Sequence, residues 1–291
     1  MTIRAVRTAA TLGVLLVLAG CARGNGGASA PSTTPFPYRP DDLVLQVAYT
    51  GGFTTPQLLA GRVPLLSVYG DGRVITEGPV PAIHPGPALP NLQVQHIDAA
   101  AVQTLVDRAL AEGVGDAADF GTPGIADDVT TRFTVSTGLE TLTTQVYALA
   151  SAGDHDSRLS AGQVAARQRM QGLLDALTDL PGTLGTDAMG ASGPYLPTAV
   201  AAVVTSYVPM DDGPAPPGAA WPGPPLPGEP LAAPLGVTCV VATGDAATAV
   251  LDAAGKANAL TPWLSADGAR WSLMFRPLLP QESSCTDLKA S

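Results

Sequence analysis

The chain predicts an α+β fold, with antiparallel hairpins making one or two sheets and helices packed on one face. Three observations carry that expectation. Short segments of alternating apolar and polar residues are bounded by Gly and Asp. Longer segments with helical spacing follow them, each behind a capping residue. The composition is that of a globular body with long turns: of 291 residues 46% are hydrophobic and 14% charged, with 32 Gly and 28 Pro.

The elements follow in order. Leu43, Leu45, Val47 and Tyr49 alternate with Val44, Gln46 and Ala48 and stop at Gly51-Gly52, a strand. Residues 65–69 and 73–76 flank Gly70-Asp71-Gly72, where glycines beside Asp suit a tight hairpin turn. Residues 79–90 hold five prolines around His84 and read as an extended loop without regular structure. Residues 92–97 form a strand. Asp98 then caps a helix whose Val102, Leu105, Val106, Ala109 and Leu110 share a face, and Gly113 ends it.

A shorter version of the plan follows, similar in pattern only. Val129, Thr131, Phe133 and Val135 form one strand face, Gly138 the turn, and Leu142, Thr144 and Val146 the return. Ser160 and Gln163 have capping-box spacing, opening a helix with Met170, Leu173, Leu174 and Leu177 on one side, which Pro181-Gly182 stops. Residues 185–194 are small and polar, a boundary. Residues 198–207 read as a buried strand, with a helix as the alternative. Residues 209–234, rich in Pro and Gly around Trp221, read as a long exposed loop. Residues 237–241 form a strand carrying Cys239, and Asp245 caps a short helix that Gly255 ends. Trp263 and Trp271 flank a turn at Asp267-Gly268, with Trp271, Leu273 and Phe275 on the last strand.

The N-terminus sets the address. Arg4 and Arg7 precede an uncharged apolar run over residues 9–19, too short to span a bilayer, and Leu18-Ala19-Gly20-Cys21 follows. This is the anatomy of a secretory signal peptide, and its end resembles a bacterial lipobox, in which the Cys is diacylated and becomes the new N-terminus. Two acyl chains hold a soluble domain on a membrane where one would be marginal. The expected organisation is a signal peptide over 1–20, a flexible tether over 21–40, an α+β domain over 41–185, and a C-terminal α+β subdomain over 186–291 with the Pro-rich loop 209–234.

The formal charge is −10, and Lys256 and Lys289 are the only lysines. So acidic a chain suits neither nucleic acid nor anionic headgroups, and leaves attachment to the acyl anchor. With Cys21 spent on lipid, Cys239 and Cys285 are an even pair in an oxidising compartment, and a disulfide is expected. Two free thiols, or a metal site with distant partners, are the alternatives.

No catalytic or cofactor motif is present. There is no GxSxG elbow, P-loop, GxGxxG, HExxH or CxxC spacing, so no cofactor and no metal site is implied. His84, His96 and His155 are far apart in sequence. Asp154-His155-Asp156-Ser157 is the densest polar cluster, and reads as a solvated loop leading to the helix at Ser160. The pairs Asp41-Asp42, Asp127-Asp128 and Asp211-Asp212 read as turns. Arg276-Pro277, following the last strand, could bring a cation to a site. Trp221 either packs back on the sheet against Trp263 or Trp271, or forms a contact surface.

At the lipobox, at Tyr69-Gly-Asp-Gly-Arg-Val-Ile75 and at Arg276-Pro-Leu-Leu-Pro280 before Cys285, the chain resembles secreted lipoproteins of high-GC actinobacteria. The resemblance implies an envelope location and a bridge between Cys239 and Cys285, with no activity attached. Three functions are expected in order. The first is a non-catalytic module that binds an envelope protein, polymer or small ligand. An envelope hydrolase assembled from scattered Asp and His follows, and then a protein inhibitor presenting the Gly70 hairpin.

Overall fold

Two antiparallel sheets, stacked through the C-terminal segment, organise the computed structural model, which describes residues 38–152, 156–209 and 217–290. The fold is α+β, as the sequence predicts. In chain order the elements are β1 (Leu43–Gly51), α1 (Pro56–Gly61), β2 (Leu66–Tyr69), β3 (Arg73–Glu77), β4 (Leu92–His96), α2 (Ala99–Ala111), β5 (Val129–Ser136), β6 (Thr141–Tyr147), α3 (Ala161–Thr178), α4 (Leu180–Leu184) and β7 (Gly193–Pro194). Then come β8 (Ala199–Ser206), β9 (Ala219–Ala220), β10 (Glu229–Ala232), β11 (Val237–Thr243), α5 (Gly244–Ala254), β12 (Trp263–Leu264) and β13 (Arg270–Pro277).

Sheet one runs β6-β5-β1-β2-β3-β4-β7, and sheet two runs β10-β11-β8-β13-β12-β9. All neighbours are antiparallel except β12 with β9. One face of sheet one (Val47, Val68, Val74, Phe133, Val135, Val146) packs on α2 and α3 through Val102, Leu105, Met170, Leu173 and Leu177. Both helices begin where the sequence places them: Asp98 accepts from the Ala101 N–H at 2.7 Å, and Ser160 and Gln163 close the full capping box. The outer face of sheet two packs Val200, Ala202, Val204 and Phe275 on Ala247, Val250 and Ala254 of α5.

Between the sheets lie α1 and the C-terminal segment. Gln57 of α1 donates to the Val203 and Ser272 carbonyls of sheet two at 3.0 and 3.2 Å. Successive leucines of the tail face opposite sheets. Leu279 packs with Tyr69 and Ile75, whereas Leu278 and Leu288 pack with Ala201, Val203 and Cys239. Cys239 and Cys285 are disulfide-bonded, which fastens this segment to β11.

Several local expectations are corrected. Pro181 and Gly182 do not merely stop α3. It ends at Thr178 with Asp179 as its C-cap, and they form the first turn of α4, whose Gly182 N–H bonds the Asp179 carboxylate at 3.1 Å. Asp245 lies in the first turn of α5 rather than capping it, because the helix begins at Gly244 with Thr243 as N-cap. The segment 209–234 is not all loop, since it supplies β9 and β10, with Pro230 on an outermost strand where a missing N–H costs no ladder bond. Arg276 lies within β13, not beyond it. The expected strand over 198–207 is β8, so the helical alternative falls.

Two turn glycines make a matched test. Gly72 has φ +86°, and a Cβ there would come 2.1 Å from the Ile97 carbonyl oxygen; Gly268 has φ +83° with open space around it. A left-handed non-Gly residue costs about 1–2 kcal/mol. Gly268→Ala should therefore lose about that much in denaturant unfolding, and Gly72→Ala clearly more. Equal losses would contradict the close approach at Gly72.

Candidate functional site

The face of sheet one turned away from α2 and α3 carries Gln46 and Ala48 on β1 and Arg132 on β5, with Ala48 and Arg132 directly paired in register. Together with Arg62, Val63 and Pro64 before β2, and Gln281, Glu282, Thr286 and Asp287 of the tail, they line a cleft of about 270 Å³. Its walls bring cations and anions together. Arg62 donates through Nη1 to the Gly51 carbonyl at 3.0 Å. Burial lowers the pKa of Arg132. Gln46 donates to the Ser67 hydroxyl at 3.0 Å.

The acidic wall is held by the tail's own hydrogen bonds. Asp287 accepts from the Ser283 and Ser284 N–H groups at 2.8 and 2.9 Å, which hold its carboxyl below the usual range. Glu282 accepts from Arg276 Nη2 at 2.7 Å and from the Leu279 N–H at 2.8 Å. Burial pushes its carboxyl up, and Arg276 together with the Leu279 N–H pulls it back part of the way. Arg276 is 0% exposed and also donates to the Arg62 and Pro277 carbonyls at 3.2 and 2.6 Å. It is therefore a structural cation beneath the cleft rather than one offered to a ligand.

The remaining residues singled out by sequence are scattered. Cys21, Asp154, His155, Asp211 and Asp212 lie outside the described residues. His84 sits exposed in the proline loop and His96 exposed on β4, with no side-chain hydrogen bond to either among the described residues. Asp156 accepts from the Gly124 and Arg158 N–H groups. Asp41 pairs with Arg73, which also bonds Asp71. The Gly70 turn is held to the body through the Asp42 and Pro40 carbonyls, leaving Asp71 as its exposed point. Trp221 is half-buried, stacked on Phe275 at 6.3 Å and edge-on to Trp263 at 5.8 Å, and its indole N–H donates to the Pro224 carbonyl at 2.6 Å.

Sequence reasoning missed the cleft residues Gln46, Arg62, Arg132, Glu282 and Asp287. One signal was available, since Arg132 interrupts a strand face otherwise written in threonine and serine, Thr130, Thr134 and Ser136. Among the described residues no group of three or more His, Cys, Asp or Glu could hold a metal ion, and no helix is long and apolar enough to cross a membrane. No family model, curated protein or solved structure matches the chain.

Two measurements check this geometry. Glu282→Gln leaves Arg276 buried beside a neutral group and should cost about 3–5 kcal/mol, whereas Arg276→Met with Glu282→Leu should cost far less. A double-mutant cycle by denaturant unfolding reads the coupling, and additive losses would contradict the buried pair. The second is alkaline. Burial pushes the Tyr195 phenol, which donates to the Leu278 carbonyl at 2.9 Å, from 10.0 up to about 12. The unfolded chain then loses that proton first, so the group's contribution is complete below about pH 10 and is lost as pH rises through 12. The stability advantage of the native chain over Tyr195→Phe should shrink across that window, and a constant advantage would refute the shift.

Proposed function

We propose that the chain is an extracytoplasmic lipoprotein, held to the cell membrane by acyl chains on Cys21, whose α+β body is a non-catalytic binding module of the envelope. The observation that carries this reading is the Cys239–Cys285 bridge. Disulfides persist in oxidising compartments outside the cytosol, where the signal peptide and lipobox would deliver the chain. The bridge also holds in place the segment that supplies one wall of the cleft.

The cleft is the body's candidate binding surface. Its mixture of guanidinium, carboxylate and amide groups suits a small polar ligand, or a polar segment of an envelope protein or polymer, bound by hydrogen bonds without bond making. An acidic body keeps clear of anionic headgroups, so the anchor supplies proximity and the cleft supplies recognition.

Two arms test the proposal. Cys21→Ala should release the protein from the membrane fraction or leave the precursor uncut; unchanged membrane retention and migration would contradict the anchor. Detergent-solubilised full chain, used as bait on the solubilised envelope, should retain a component that Arg62→Ala loses. Recovery of the same components by both proteins would remove the cleft from the account.

A further inference from the structure

Two open sheets have four edges, and three of them here are closed to intermolecular pairing. β7 and β9 are two residues long, and β10 carries Glu229 and Pro230. Shortness, charge and proline are the ordinary means of blunting an edge. The fourth edge is β6, seven residues without a charge, a proline or a glycine.

The hydrogen-bond phase of β6 is fixed at both ends. The Thr137 N–H bonds the Glu140 carbonyl across the turn, and the Ala148 N–H bonds the Val129 carbonyl beyond the last strand residue. Counting in twos between these points, Leu142, Thr144 and Val146 turn their backbone groups to β5, whereas Thr141, Thr143, Gln145 and Tyr147 turn theirs away. The Tyr147 carbonyl is already taken by Arg167 Nη2 at 2.8 Å. Thr141, Thr143 and Gln145 are exposed, and their outward backbone groups have no partner among the described residues.

We propose that β6 pairs antiparallel with β6 of a second copy of this chain, about a two-fold axis through Thr143, joining two seven-stranded sheets into one. The open stretch is its own complement. Thr143 meets Thr143, and Thr141 meets Gln145 in both directions, each as a hydrogen-bonded pair. A centre one residue further along would need the occupied Tyr147 carbonyl. No like charges face each other, and threonine and glutamine are compatible cross-strand neighbours. The same register brings Leu139, 97% exposed at the turn, alongside Tyr147 of the second copy. Such an isologous contact closes on itself, so the open edge yields a dimer and not a fibre.

The test uses the detergent-solubilised full chain. In a hydrogen-bonded antiparallel pair the Cα atoms stand about 5.5 Å apart, within disulfide reach. Thr143→Cys should therefore form a dimer on non-reducing gels under mild oxidation. Thr141→Cys alone should not, and Thr141→Cys with Gln145→Cys should. Thr143→Lys, which sets two ammonium groups on the axis, should sediment as a monomer while keeping the circular dichroism of the native chain, with a melting temperature that no longer depends on protein concentration. Cross-linking of Thr141→Cys as strong as that of Thr143→Cys would overturn the register. A native chain that sediments as a monomer at every concentration would overturn the dimer.

Discussion

A buried guanidinium holds this architecture together. Arg276 lies on the inner side of sheet two, 0% exposed, and its guanidinium donates to the Arg62 carbonyl before β2, to the Pro277 carbonyl at the end of its own strand and to the Glu282 carboxylate of the tail. An ion so placed is tolerable only when its donors are satisfied, because its desolvation cost is several kcal/mol. That requirement fixes the tail. Glu282 must sit where Arg276 can reach it, and its other oxygen then takes the Leu279 N–H. Leu278 and Leu279 are thereby turned to opposite sheets.

The cleft follows from the same constraint. Sheet one has an apolar face satisfied by α2 and α3 and a second face with Gln46 and Arg132, which water or polar chain must cover. The tail covers part of it, bonded to Tyr69 through Gln281 at 2.7 Å and to Tyr195 through the Leu278 carbonyl. What it leaves open is the cleft. The disulfide secures this arrangement from the other side, joining the tail to β11 and lowering the entropy of the unfolded chain by closing a long loop.

Most elements whose signals are local were legible in the sequence, although α1, with Thr55 as its cap and Pro56 in its first turn, was not read. The alternation in β1, the Gly70 turn, the Asp98 cap and the Ser160–Gln163 box each act within a few residues, and each element forms at that place. β7, β9 and β10 were not legible, because strands of two to four residues exist only through their partners. Trp221 could be read only as packed or exposed, and its ring stacks where β13 brings Phe275. The cleft escaped for a related reason. Arg62 and Arg276 are 214 positions apart, and no spacing rule spans that distance. A cysteine pair, by contrast, is chemically marked at any separation.

The tail is a structural member of the body, wedged between the sheets, and not a flap laid across them. Native-state hydrogen exchange measures this directly at the Leu278 N–H, bonded to the Ala199 carbonyl at 3.0 Å, and at the Leu279 N–H, bonded to Glu282. Exchange of both at the rate of the β8 and β13 amides, through global unfolding, is the predicted result. Exchange orders of magnitude faster than in the two sheets would mean that the tail detaches on its own, and would contradict the account.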